Sequence, residues 1–170
     1  MAQGFIAVVS GKLKQVFGIT SSAGAADAGK IPALDAGGKL DNSFLPTGIG
    51  ANTVAAPASE ALSAGDFVNL YNNAGALGVR KADNSNGRPA HGYVKAAVSS
   101  AATATVYRLN TTNDSKSSMT PGTEHWLGTA GATITTPLNE TTDTGKVMQY
   151  LGIAKSATEL VTVEEPPVTL

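Results

Sequence analysis

The chain opens with two short apolar runs that predict a β-hairpin. Residues 5–9 and 12–17 are joined by Ser10-Gly11, a link that suits a two-residue turn. In the second run the side chains alternate between two faces, with Lys12, Lys14 and Val16 on one and Leu13, Gln15 and Phe17 on the other. A lone hairpin of this size is marginally stable in water. We therefore expect residues 1–20 to form a hairpin that packs on the rest of the chain or on another chain.

The pattern changes over residues 21–58, where Gly, Ala, Ser, Asp and Pro dominate and large apolar residues appear singly. Three prolines and the Gly-Gly pair at 37–38 oppose a continuous helix. A flexible linker is the simpler interpretation, but a solvated linker has no reason to carry large apolar residues every few positions. The pattern favours an extended connector arm with local turns, which buries its apolar residues against a partner.

The apolar side chains of the hairpin and the arm are the candidate contact residues for self-association or partner binding. Each contributes roughly 1.5–3 kcal/mol if it is fully removed from water. The set is Phe5, Ile6, Val8, Leu13, Val16, Ile31, Leu34, Leu40, Phe44 and Leu45.

Residues 59–165 have the pattern of an all-β domain, in which short runs rich in Val, Thr, Tyr and Leu alternate with turn signals. In the run 103–109, Val106 is out of phase with Tyr107 and Leu109, which predicts a strand covered on both faces. The polar segment 110–118 is expected to be a loop on the outer surface. The predicted strands are 66–71, 78–81, 90–97, 103–109, 124–127, 133–136, 146–154 and 160–163. Eight short strands favour a small antiparallel β-barrel or sandwich, followed by a C-terminal tail at 166–170.

Composition excludes several classes of partner and site. The net charge is −1, only 15% of residues are charged, and no basic cluster is present, so nucleic-acid binding is not expected. The absence of cysteine excludes disulfides, thiolate zinc sites and thiol catalysis. The first apolar run is five residues long with no basic residue before it, so neither a signal peptide nor a membrane span is predicted. A membrane is not among the expected partners. We expect synthesis in a cytoplasm.

No catalytic or cofactor motif is legible. His91 and His125 lie in predicted strands without a hydrolase motif around them, and two histidines leave few metal ligands. We therefore expect no enzyme activity, no metal and no cofactor. The sole tryptophan and the four tyrosines could form a platform for a sugar, but aromatic residues in separate strands are more typical of core packing.

Two stretches carry a resemblance to a known family. Residues 27–46, Asp-Ala-Gly-Lys-Ile-Pro-Ala-Leu-Asp-Ala-Gly-Gly-Lys-Leu-Asp-Asn-Ser-Phe-Leu-Pro, resemble a connector found near the start of tailed-bacteriophage head decoration proteins and in many phage tail-fibre proteins. Three later segments, 63–68, 120–136 and 145–160, look like the small β-domain of the same decoration, or cement, proteins.

The resemblance implies a structural virion protein on the outer capsid surface. It implies a homotrimer that binds between subunits of the major capsid protein and is made in the cytoplasm of the host bacterium. The alternative is a tail-fibre or baseplate adhesin that binds the host surface. A tail fibre is expected to continue into a shaft or a receptor-binding tip, whereas this chain stops at Leu170, which favours head decoration.

Overall fold

A computed structural model describes residues 4–45 and 52–170, which divide into two compact units, Met1–Ala51 and Asn52–Leu170. The first unit contains strands β1 (Gly4–Val9) and β2 (Lys12–Phe17) and 3₁₀ turns at Gly24–Asp27 and Asn42–Phe44. The strands of the second unit are β3 (Thr53–Pro57), β4 (Phe67–Asn73), β5 (Ala76–Lys81), β6 (Gly92–Val94), β7 (Thr103–Arg108), β8 (Thr112–Asn113), β9 (Glu124–Leu127), β10 (Thr133–Ile134), β11 (Val147–Met148), β12 (Tyr150–Ala154), β13 (Leu160–Thr162) and β14 (Val168–Thr169). The predicted all-β class is confirmed. No helix in the described ranges is both long and apolar enough to cross a membrane.

The predicted hairpin is present, and its turn explains its register. Ser10 and Gly11 both have positive φ, 53° and 75°, as a two-residue type I′ turn requires. Glycine adopts this conformation without steric cost, and the turn matches the twist of the strands that it joins. Phe5 therefore pairs with Val16, and Val8 pairs with Leu13. Residues 1–3 of the predicted hairpin segment lie outside the described residues.

Three aspartates set the turns of the arm. The Asp27 carboxylate accepts hydrogen bonds from the Ala23 N–H and from Lys30 Nζ, both at 2.6 Å. Asp35 accepts from two backbone N–H groups, at 2.8 and 2.9 Å, and Asp41 accepts from the Ser43 N–H at 2.9 Å. Aspartate side chains commonly hold turns in this way. The hydrogen bond from Ala23 is the main reason that the pKa of Asp27 lies below its ordinary value. Residues 46–51 of the predicted arm lie outside the described residues.

The arm also returns to the end of the hairpin. The Ile19 N–H donates to the Ile31 carbonyl at 3.0 Å, and the Ala33 N–H donates to the Ile19 carbonyl at 2.7 Å. This short parallel bridge fixes Ile31 near the base of β2. The arm is thus extended with local turns, as predicted, and part of it packs on the hairpin of its own unit.

Two five-stranded antiparallel sheets form the second unit. Their strand orders are β3-β7-β6-β4-β5 and β10-β9-β12-β13-β8, and β11 pairs separately with β14. All eight predicted strands are present, most of them shorter than expected and one of them divided into β11 and β12. The described strands form open sheets with the character of a sandwich and no closed barrel.

The core has two parts because the first sheet is covered on both faces. One cluster, on the far face of that sheet, contains Val68, Val79 and Val106 with the loop residue Leu62. The other lies between the sheets and contains Phe67, Tyr93, Leu127, Leu151 and Leu160, with Tyr107 packed against it. Val106 and Tyr107 therefore face different clusters, which confirms the expectation that their strand is covered on both faces.

Buried amide side chains link distant segments of the second unit. Gln149 accepts from the Ala90 N–H at 2.7 Å and donates to the Ala90 carbonyl at 3.0 Å, and Asn84 donates to the Leu127 carbonyl at 2.8 Å. Asn113 donates from Nδ2 to the Gly65 carbonyl at 3.1 Å. Buried polar groups are stable only when they are hydrogen-bonded. These bonds therefore fix how the segments meet.

The expected outer-surface position of segment 110–118 is wrong at Asn113, which is fully buried (0% exposed). Its Oδ1 also accepts from the Ser115 N–H at 3.2 Å, so both ends of the amide are engaged inside the unit. The segment forms β8 at the edge of a sheet because β8 pairs with β13. A polar side chain is compatible with this burial because both ends of the amide are hydrogen-bonded, one to the nearby Ser115 and the other to the distant Gly65.

The boundary between the two compact units lies between Ala51 and Asn52, ahead of the predicted boundary at residue 59. Strand β3, assigned to the arm from the sequence, pairs along its full length with β7, and β14, assigned to the tail, pairs with β11.

We expect a fragment of residues 52–170 to unfold in a single cooperative thermal transition. A fragment of residues 59–165 should melt at a lower temperature or aggregate, because it exposes the edge of β7. Equal melting temperatures for the two fragments would contradict a structural role for β3 and β14.

The environment of His91, which lies directly before β6, predicts a loss of stability in mild acid. The Leu70 N–H donates to His91 Nδ1 at 3.0 Å, which requires that nitrogen to be unprotonated. Burial, and then the charge of Arg108, lowers the pKa of His91 below its ordinary value of 6.5. The unfolded chain therefore takes up the proton first, so this contribution to stability is complete above pH 6.5 and is lost as the pH falls below it.

The free energy of unfolding of the 52–170 fragment should therefore decrease between about pH 7 and pH 5. In His91→Asn the amide oxygen can accept the same hydrogen bond without titrating, so this variant should show a smaller decrease. Urea unfolding at about pH 7 and about pH 5 measures the free energy of unfolding of the parent fragment and of the variant. An identical pH dependence in the variant would exclude His91 as the source.

Candidate interaction surface

Four large apolar side chains of the hairpin form an uncovered surface, which we call the open face. Ile6, Val8, Leu13 and Phe17 are 74%, 68%, 75% and 52% exposed. They share one side of the hairpin because Val8 pairs with Leu13 and Phe17 pairs with Gly4, which places alternate residues of both strands on that side. Large contiguous apolar patches are rare on the surface of soluble monomers and mark interaction sites.

The opposite side of the hairpin lines a groove within the first unit. Phe5, Val16 and Ile31 contribute to it, together with Ala7 and Ile19, and its volume is about 490 Å³. Phe5 and Val16 are half-buried here because the arm returns beside them at Ile31. The hairpin therefore carries apolar residues on both sides, and its own arm covers only one of them in part.

The structure divides the ten predicted contact residues into three sets. Ile6, Val8 and Leu13 belong to the open face, and Phe5, Val16 and Ile31 line the groove. The remaining four lie further along the arm, where Leu34 and Leu40 are exposed and Phe44 and Leu45 are half-buried. The open-face residues are neighbours on one side of paired strands, whereas the four arm residues are spaced at intervals along the chain.

Phe17 belongs to the open face although it was not among the predicted contact residues, and the alternation in the sequence already indicated its position. The alternation of β2 places Phe17 on the same side as Leu13, four residues along the strand, and Phe17, at the end of the strand, also borders the groove. The charged residues of the hairpin, Lys12 and Lys14, lie on the groove side. The four residues of the open face therefore carry no charge, so burying these side chains would not require a charged group among them to be desolvated.

The aromatic residues considered as a sugar platform do not form one surface. Tyr93 is buried between Phe67, at 6.1 Å between ring centroids, and Tyr107, at 5.8 Å. Trp126 instead contacts Tyr150 at 5.6 Å, and Tyr71 lies under the guanidinium of Arg80. These distances are typical of aromatic packing, which was the favoured interpretation.

In residues 4–45 and 52–170, no three side chains of the His, Asp and Glu types gather as a metal site would require.

Comparison with known proteins gives a distant structural likeness. No family model matches the chain, and no curated protein matches it at a significant level. Among solved structures, the chain is similar to the N base of the head fiber gp8.5 of bacteriophage phi29, at 14% sequence identity and a TM-score of 0.42. The likeness covers 65% of this chain and 92% of that chain. It is too distant to assign a function.

Proposed function

We propose that this chain is a structural virion protein that decorates and stabilises the outer surface of a phage capsid. It binds between subunits of the major capsid protein, and the hairpin and arm are its attachment surface. The observation that carries the proposal is the open face, an apolar surface of Ile6, Val8, Leu13 and Phe17 that the described part of the chain leaves in solvent.

The connector resemblance supplies the phage context for this surface. Each of the three aspartates in that stretch, Asp27, Asp35 and Asp41, holds a turn of the arm, so the motif has a structural purpose in this chain. A low charge density suits a protein displayed in many copies, because large single-sign charge would make neighbouring copies repel one another. The distant likeness to a head fiber base agrees with this assignment without carrying it.

The proposed oligomer is a homotrimer in which the hairpins contribute to contacts between copies. A two-stranded hairpin with apolar residues on both sides gains stability only when further surface covers it. Burial of the open face against capsid subunits or against neighbouring copies removes the same four side chains from water. Light scattering of the purified chain distinguishes these cases, since self-association gives a trimer in solution and capsid attachment alone gives a monomer.

Location on the particle tests the proposal directly. Antibodies raised against the 52–170 fragment should label the heads of intact virions in immunogold electron microscopy. Labelling confined to the tail would reject head decoration and favour the adhesin alternative. Purified full-length chain added to particles that lack it should also sediment with them and raise the temperature at which the capsids rupture.

A further inference from the structure

A polar cleft in the second unit is lined by none of the residues used above for attachment. Its volume is about 380 Å³, and its walls come from segment 115–120, from β9 and from the segment that contains β10. Seven of its twelve lining residues are serine or threonine, and the charged and titratable members are Lys116 and His125. We call it the hydroxyl cleft.

Lys116 lines this cleft, and its side chain forms no ion pair with a described carboxylate. Its Nζ donates to the Gly65 carbonyl at 3.2 Å and lies 5.3 Å from the centre of the Phe67 ring. Among the described side chains, the ion pairs within 4.0 Å do not include Lys116, and the carboxylate of Asp66 is instead bound by Lys81 at 3.3 Å. Burial lowers the pKa of Lys116 below its ordinary value, and the charge of Asp66 opposes this shift without cancelling it. A half-buried ammonium group gains the most from an anion that reaches it.

His125 gives a second sign of an incomplete site. The side chain is 5% exposed, and its Nδ1 lies 3.1 Å from Thr133 Oγ1. Its other nitrogen, Nε2, is buried and has no hydrogen-bond partner in the part of the chain that the structure describes. Buried polar atoms in native proteins nearly always have a partner, as the amides of Asn84, Asn113 and Gln149 do here.

We propose that the hydroxyl cleft binds a carboxylated sugar, such as a uronic acid unit, with its carboxylate at Lys116. One ammonium group balances the single charge of a carboxylate, whereas a phosphate dianion would keep one charge unpaired beside it. Hydroxyl side chains both donate and accept, so walls of serine and threonine suit a ligand that carries several hydroxyls. The volume lies near the lower end of small-molecule sites, which is large for a bare anion and appropriate for a single sugar unit.

The walls argue against an acidic peptide side chain as the ligand. A glutamate side chain offers methylene groups to its site, and the apolar lining residues of the cleft are only Ala64, Met119 and Ala132. A sugar offers hydroxyls around a small ring, which the remaining wall can bind. The inference is independent of capsid attachment, because every residue of the cleft belongs to the second unit.

Titration of the full-length chain with sodium D-glucuronate, followed by amide and imidazole NMR signals, tests the proposal. D-Glucose, acetate and inorganic phosphate are titrated in parallel. We expect glucuronate to shift signals of segment 115–120 and of His125, and to bind more tightly than glucose or acetate. Lys116→Met keeps most of the side-chain volume and should weaken glucuronate binding by about 10-fold to 100-fold, the range for loss of a charged hydrogen bond.

Lys155→Met is the matched control, since Lys155 is an exposed lysine of the same unit that pairs with Glu159 at 3.1 Å, and it should bind as the parent does. Ala64→Leu narrows the cleft without changing its charge and should also weaken binding, which keeps the proposal testable if Lys116→Met fails to fold. Absence of glucuronate binding, or equal binding by Lys116→Met and the parent, would overturn the proposal. Binding of phosphate but not glucuronate would overturn it too, and would leave a simple anion site.

Discussion

Leu13→Asp should abolish attachment to capsids while both units keep their stability. Leu13 is 75% exposed in the free chain, so the new carboxylate stays in water and the hairpin register, which is set by the Ser10-Gly11 turn, is unchanged. When a partner covers the open face, the same carboxylate must be desolvated without a cation, which costs several kcal/mol. Loss of the leucine contact adds roughly 1.5–3 kcal/mol. The affinity should fall by at least about 100-fold.

Co-sedimentation with undecorated capsids measures this loss, and light scattering shows whether the oligomer dissolves as well. The matched control is Leu77→Asp, the same substitution at an exposed leucine in β5 of the second unit, which should bind capsids as the parent does. Leu40→Asp extends the test to the exposed part of the arm. If Leu13→Asp and Leu40→Asp both attached like the parent, the first unit would be a tether and the attachment surface would lie in the second unit.

The hairpin could be predicted from the sequence because its determinants are local. Ser10-Gly11 specifies the turn, and the alternation of the flanking runs then decides which residues share a side. The same alternation contained Phe17, so its omission from the predicted contact residues was avoidable. Local sequence does not determine which side of the hairpin is covered. That depends on the return of the arm, which is held by the hydrogen bond from the Ile19 N–H to the Ile31 carbonyl.

The features that the sequence did not reveal depend on residues far away along the chain. Strand β3 is rich in alanine and ends in Pro57, which suggested an arm. It forms a strand because it pairs with β7, about fifty residues later along the chain. Pro57 is tolerated there because β3 is the edge strand of its sheet. Asn113 looked like a loop residue because nothing near it predicts its bond to Gly65. Lys116 and His125 likewise form one cleft only after β8, β9 and β10 are assembled.

Gly152→Ala should unfold the second unit or come close to doing so. Gly152 lies in β12, between β9 and β13, at a shift of register between Tyr150 and Gly152 that is typical of a β-bulge. Its φ is +138°, a conformation that residues with a Cβ rarely adopt. A Cβ there would also collide with the Val161 carbonyl oxygen and would lie 2.9 Å from the carbonyl carbon.

The neighbour that would have to move is backbone of an adjacent strand, so no change of side-chain rotamer can relieve the collision. We expect Gly152→Ala to lower the free energy of unfolding of the 52–170 fragment by about 4 kcal/mol or more, against a total of about 5–15 kcal/mol for a typical domain. Urea unfolding followed by the fluorescence of Trp126, which pairs with Tyr150 in the neighbouring strand, reports on this sheet.

Gly75→Ala separates the two causes of this loss. Gly75 also has a positive φ, +92°, but a Cβ there meets nothing within 4 Å, so this variant should lose only the roughly 1–2 kcal/mol of backbone strain. The difference between the two variants measures the cost of the close approach of β12 and β13. If Gly152→Ala were no less stable than Gly75→Ala, the strands could separate at the bulge, and the sheet that carries His125 would not be rigid enough to hold the hydroxyl cleft in one shape.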